Sequence, residues 1–219
     1  KANDTAAAGQ EGDITDSGTL TVAGNGSNVT LDAGARDIVL DDAASKFGGT
    51  LYLKGRNIDI TENDLTSLGQ SAATGTLRIN NLDGGIRETA NLDDGSVVPA
   101  GKLVLEVNEK STFRAPAGQS IVLNPTEEGA PEQPNDFKGA IAFQRSSGDG
   151  GFRNIDVKDR SSLALRFEDG AGNAAPLAAS GDVTVQTGGP ATVGQFSQDS
   201  AVNAGGKVTV TATGDALLN

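Results

Sequence analysis

Apolar and polar residues alternate in short runs along most of the chain. Leu20 and Val22, Val29 and Leu31, Ile38 and Leu40, Leu51 and Leu53, and Ile58 and Ile60 are spaced by two. The same spacing returns at Leu77 and Ile79, Leu103 and Leu105, Ile121 and Leu123, Ile141 and Phe143, Ile155 and Val157, Leu163 and Leu165, Val183 and Val185, and Val208 and Val210. A period of two places these side chains on one face of a strand, which is then buried. Each run is bounded by Gly, Asn, Asp or Ser, the residues that punctuate strands. The best helical candidate, Asp64 to Ala73, holds too few apolar residues for a helix face. The pattern predicts an all-β chain of roughly fifteen or more short strands.

Two architectures accommodate many short strands, an antiparallel sandwich or barrel and a parallel β-solenoid. Most linkers lack the two-residue turn of a hairpin, although Asn25-Gly26 is one such dipeptide. Internal repetition favours the solenoid. Asp37–Ile60 matches Ser120–Val157, with Ile38 opposite Ile121, Phe47 opposite Phe137, Leu51 opposite Ile141 and Ile58 opposite Ile155. "GRNIDI" at Gly55–Ile60 thus returns as "FRNIDV" at Phe152–Val157. The later copy carries two insertions, Pro125–Pro134 and Ser146–Gly151. Within the first copy, Ile38, Ile58 and Leu77 step by about twenty residues, the size of one solenoid rung. The expected fold is a parallel β-helix of roughly 8–10 rungs, a rod of about 40–50 Å. Residues 1–16 are expected to form a flexible lead-in or cap, and residues 17–219 a single β-helix domain with loop insertions at 125–134 and 146–151. On this reading both copies of the repeated phrase return to the same corner of the rod. Asn57 and Asn154 are its structural corners, where Asn bonds neighbouring turns readily.

Composition narrows the chemistry. The formal net charge of −12 opposes binding to nucleic acid or anionic lipid, which need clustered Lys and Arg. The chain has no Cys and no His, which removes thiol nucleophiles, imidazole metal ligands and Ser-His-Asp chemistry. Aromatic residues make up only 4% of the chain, so an aliphatic core is expected. Met is absent even at position 1, so the chain is expected to be a processed product or a segment. It shows no signal peptide and no apolar run long enough to span a bilayer.

Carboxylates are the remaining candidates for catalysis. Asp41, Asp42, Asp83, Asp93, Asp94, Asp149, Glu168 and Asp169 all sit in turn-rich stretches. A glycosidase needs two carboxyls held a few ångströms apart across a groove, whereas Asp in such stretches is mainly turn chemistry. Neither the calcium-binding nonapeptide repeat nor EF-hand spacing is present. No catalytic residue, metal ligand or cofactor is assigned. The acidic, Pro-rich insertion, with Glu127, Glu128 and Glu132, interrupts a repeat, as does the insertion holding Asp149. Loops on a rigid scaffold are where binding residues collect, so these four are the expected recognition residues, and the two insertions are expected to lie near one another.

The frame Ile-x-Leu, an Asn/Ser-x-Phe-x-Gly turn, an alternating strand and Asn-Ile runs through Ile38–Ile60 and Ile121–Val157, with the turns at Ser45 and Asn135. It resembles the repeat region of filamentous-haemagglutinin-like exoproteins of Gram-negative bacteria, over about residues 17 to 212. That resemblance implies a right-handed helix and two-partner secretion through an outer-membrane transporter. It also implies a secreted or cell-surface location, and a role in adhesion, biofilm or toxin delivery. The family's secretion domain carries Asn-Pro-Asn motifs and this chain has none, so a shaft segment is implied. The expectation is a non-catalytic adhesin shaft with a host-cell or glycan receptor. The alternatives are a polysaccharide lyase or hydrolase using clustered carboxylates, and a filament subunit that associates end to end.

Overall fold

The computed structural model describes residues 2–3, 12–23, 27–99, 102–125, 135–169, 171–189 and 193–218. Every pairing between strands of its sheets is parallel, and the described residues contain no helix. The chain is a parallel β-helix whose strands form three principal ladders along the rod.

The first ladder has nine strands: Ile14–Thr15, Ile38–Leu40, Ile58–Glu62, Leu77–Asn81, Ser111–Ala115, Ile141–Arg145, Leu163–Glu168, Phe196–Gln198 and Ala216–Leu217. The second runs through Thr66–Leu68, Ile86–Glu88, Ile121–Leu123, Ile155–Asp159, Val183–Thr187 and Val208–Ala212. The third contains Ala2–Asn3, Val29–Asp32, Thr50–Gly55, Ser71–Ala73, Leu105–Val107 and Asp136–Phe137. Thr50–Gly55 joins the last two, because its start pairs with Ser67 and Leu68 and its end with Ala72 and Ala73. Nine strands in the first ladder agree with the expected rung count. The step Ile38, Ile58, Leu77 is a direct register column. Residues 1–16, expected as a lead-in or cap, contribute strand pairs at Ala2–Asn3 and Ile14–Thr15.

The repeated phrase, however, occupies two different faces. Ile58–Glu62 belongs to the first ladder and Ile155–Asp159 to the second. Ile38 and Ile121 are divided in the same way, and Leu51, in the strand that joins the second and third ladders, differs from Ile141, in the first. The two copies are therefore alike over one full turn but begin on different faces. The expectation of one shared corner is corrected on this point.

Inward residues form a single core along the rod. All seven phenylalanines are buried, so the core is less purely aliphatic than the composition suggested. Phe113, Phe143 and Phe167 occupy one register column. Their ring centroids lie 6.3 and 6.1 Å apart on successive turns, and Phe137 meets Phe113 edge-on at 6.2 Å. Parallel stacking imposes this arrangement, because identical side chains recur at each strand of the ladder and their rings pack offset, with planes inclined by 31° and 25°.

Candidate functional site

Two corner devices recur along the rod. In the first, an Asp or Asn side chain caps the next turn. Asp13 Oδ1 accepts the Asp37 N–H at 3.0 Å, Asp37 Oδ1 accepts the Asn57 N–H at 3.0 Å, and Asn57 Oδ1 accepts the Thr76 N–H at 3.1 Å. On the other face, Asn154 Oδ1 accepts the Asp182 N–H at 2.9 Å and Asp182 Oδ1 the Lys207 N–H at 2.8 Å. Asn57 and Asn154 thus do the same local work at different faces. Arg56 forks onto Asp37 with two 2.8 Å bonds, and this guanidinium holds the Asp37 carboxyl at about 2. Arg153 is exposed.

The second device is the Asn/Ser-x-Phe-x-Gly turn. Ser45 Oγ accepts the Leu20 N–H of the preceding turn, and the Ser45 carbonyl accepts the Asn63 N–H of the following one. Asn135 does the same with Leu105 and Arg160. The Phe47 N–H donates to Glu62 Oε1 at 3.0 Å and the Phe137 N–H to Asp159 Oδ1 at 3.1 Å. Glu62 and Asp159 hold equivalent places in the repeated phrase, and both are wholly buried. Burial pushes each carboxyl up to about 7, against the hydrogen bonds that favour its ionised form.

A third buried carboxyl has no counterpart. Glu88 is in register with Leu68, a fully buried core residue. Its Oε2 accepts a 2.9 Å hydrogen bond from Asn135 Nδ2, while Oε1 is buried without a partner. Burial pushes this carboxyl up to about 8, opposed only by the Asn135 amide. Sequence reasoning missed these three acids. The signal for Glu62 and Asp159 lay in the repeat itself, which places an acid four residues after both Ile58 and Ile155.

Glu88 ends its strand at the junction of the second and third ladders, where the chain makes an excursion before Leu105. This excursion contains a hairpin absent from the expected loop set. Val98 N–H bonds the Ala90 carbonyl, Leu92 N–H bonds the Ser96 carbonyl, and Gly95 turns the tip with φ +84°. Ala90, Val98 and Val104 form a small core of their own, with Leu92 packed on it. The hairpin folds back along the rod. Asn28 Nδ2 donates to the Asp93 carbonyl and Thr30 Oγ1 to Asp93 Oδ2. Beside it, Thr30, Tyr52, Lys54, Gln70, Leu92 and Asp93 line a cleft of about 320 Å³.

Glu127, Glu128 and Glu132, in the acidic insertion, lie outside the described residues. Asp149 is exposed, in a bend after the strand ending at Arg145. That bend stacks on Ala117 and Gly118, which donate to Ser147 and Gly151. It leaves the rod at the junction of the first and second ladders, whereas the described strands flanking the acidic insertion, Ile121–Leu123 and Asp136–Phe137, belong to the second and third.

The turn carboxylates mostly cap their own backbones. Asp42, Asp94 and Asp169 each accept the N–H two residues on. Glu168 instead holds Lys110 at 2.6 Å and Gln144 at 2.7 Å. Among the described residues, no group of three or more acidic side chains could hold a metal ion.

A family model described as repeats of unknown function (DUF5649) matches the chain twice in tandem, at residues 1–54 and 55–144. No curated protein and no solved structure matches.

Proposed function

The chain belongs to the family of repeats of unknown function (DUF5649), and from that premise we propose that it is a non-catalytic shaft segment of a large exoprotein. The parent is a filamentous-haemagglutinin-like adhesin, secreted by a Gram-negative bacterium through an outer-membrane transporter. It holds a host-cell or glycan receptor site away from the cell. The observation that carries this reading is the parallel first ladder, in which each internal strand bonds the turn before and the turn after. Such a rod lengthens by adding repeats, and each added turn contacts only its neighbours. Glu62 and Asp159 are buried and spend their carboxyls on the N–H groups of Phe47 and Phe137, which supports a structural role for them.

Two measurements test the proposal. Scattering in solution should report a rod. A glycan and host-cell panel should show saturable binding that is lost when residues 125–134 are removed. A globular particle, or hydrolysis of a polysaccharide, would overturn the shaft reading. Absent binding by both forms would remove the local receptor site alone.

A further inference from the structure

We propose that a cleft on the side of the rod, lined by Lys46 and Arg87, binds a short acidic oligosaccharide through a sugar carboxylate. This inference goes beyond the shaft reading and depends neither on it nor on the acidic insertion.

Two adjoining clefts make up the site. The larger, of about 480 Å³, is lined by Lys46, Gly48, Gly49, Leu65 and Arg87 among others. The smaller, of about 330 Å³, is lined by Thr89 and Asn91 and shares Thr50, Ser67 and Arg87 with the first. Arg87 therefore stands where the two meet, and together they have the volume of a small-molecule site. Stacking of the turns explains their shape. Thr50 is in register with Ser67, and Ser67 with Arg87. The next residues, Leu51 and Leu68, are fully buried, so alternation turns this column outward. Lys46 is turned outward in the same way, because its strand neighbour Phe47 is buried. Gly48 and Gly49 join the strands Lys46–Phe47 and Thr50–Gly55 and lay no side chain across the cleft.

Charge is the second observation. The chain carries 29 acidic and 17 basic residues, and Lys54, Arg56, Arg78, Lys110 and Lys138 each hold a carboxylate within 3.2 Å. Lys46 and Arg87 are exposed, and neither has an ion-pair partner among the described residues. A guanidinium fork beside an ammonium suits a carboxylate. The acids in the walls are already engaged. Asp64 Oδ1 accepts the Leu65 N–H at 2.8 Å, and Glu88 Oε2 accepts the Asn135 amide at 2.9 Å.

The remaining lining points to a sugar. The hydroxyls of Thr50 and Ser67 lie 3.4 Å apart, and with Thr89 and Asn91 they offer groups that both donate and accept, as sugar hydroxyls do. Leu65, 42% exposed, gives a ring's C–H face an apolar contact. The aromatic ring in the wall, Phe47, is 1% exposed, so a neutral sugar finds no stacking surface and the carboxylate has to supply the binding. A peptide strand finds no open edge at Thr66–Leu68, which is paired on both sides. The net charge of −12 is screened beyond about 8 Å at physiological ionic strength. A short ligand therefore meets the two cations rather than the distant acids.

Calorimetric titration with a galacturonate trimer tests the site, with circular dichroism to confirm that each variant keeps its strands. The wild type should bind saturably, one to one. The methyl ester of the trimer keeps its hydroxyls but loses its charge, and should bind at least about tenfold more weakly. Arg87→Gln and Lys46→Gln should each weaken binding of the trimer about tenfold. Lys207→Gln removes an exposed cation elsewhere on the rod and should bind as the wild type does, as should the chain without residues 125–134. Absence of saturable binding, equal binding of the ester, or wild-type affinity in both cleft variants would overturn the site. So would an equal loss in Lys207→Gln, which would assign the effect to net charge, or a loss on removing residues 125–134, which would move the site to the insertion.

Discussion

Asn57 and Gly75 are locked together across one turn of the rod. Asn57 Oδ1 accepts both the N–H and the hydroxyl of Thr76, and a Cβ added at Gly75 would overlap that oxygen. Asn154 stands in the same way over Gly181, and Asp182 over Gly206. The glycine is required here by close approach, since none of the three has a positive φ. Gly75→Ala is expected to destabilise the rod by about 1–3 kcal/mol. Asn57→Ala relieves the overlap, so the double variant should lose less than the sum of the two. Denaturant midpoints around that cycle check it, and strict additivity would sink the idea.

The phenylalanine column should be among the most sensitive parts of the core. Phe143 lies between Phe113 and Phe167 and is 1% exposed. Phe143→Ala is expected to cost about 3–5 kcal/mol, and Phe143→Leu considerably less. Thermal unfolding of both variants measures the difference. A rod indifferent to Phe143→Ala would mean that the stack is not formed.

Stability should fall as pH rises through neutral. Glu62, Asp159 and Glu88 have folded pKa values raised to about 7, 7 and 8. The folded state therefore binds more protons than the unfolded state between the ordinary carboxyl range and those values. Their contribution is fully present below the unfolded pKa and is lost as pH rises through the folded one. Asp37 works in the opposite direction. Its pKa is lowered to about 2, so its contribution is present above the unfolded pKa and fades towards pH 2. The melting temperature should thus peak near pH 4–5. Glu62→Gln and Asp159→Asn should each flatten the alkaline fall, and unchanged profiles would contradict the assignment.

Surface ion pairs should matter little. Arg78 binds Asp59 at 2.9 Å and Lys54 binds Asp32 at 3.1 Å, each with both partners at least a third exposed. Arg78→Gln and Lys54→Gln are expected to change stability by less than about 1 kcal/mol. The small effect should shrink further in high salt. Urea titrations at two ionic strengths would expose a larger role if there were one.

The in–out alternation and the coil step were legible because both are local. Ile58, Ile60, Ile155 and Val157 are buried, as their spacing requires, and Asp59 and Asp156 alternate with them towards the outer surface. Glu88 was not legible. Nothing beside it in sequence shows that Leu68 will lie in register with it or that Asn135 will bond its carboxyl. The Ala90–Val98 hairpin escaped for a similar reason, since its partners Asn28 and Thr30 are more than sixty residues away.

The sequence by itself determined an all-β coil, its step of about twenty residues and the corner residues that cap each turn. Each follows from period-two burial and short-range turn chemistry. Only the tertiary structure decided which face a strand occupies. A motif that spans one full turn reads the same wherever the turn begins, so "RNID" from Arg56 and "RNID" from Arg153 could fall on different ladders with identical local chemistry. The neighbours that give Glu62, Glu88 and Asp159 their buried sites come from adjacent turns, and only stacking brings those turns together.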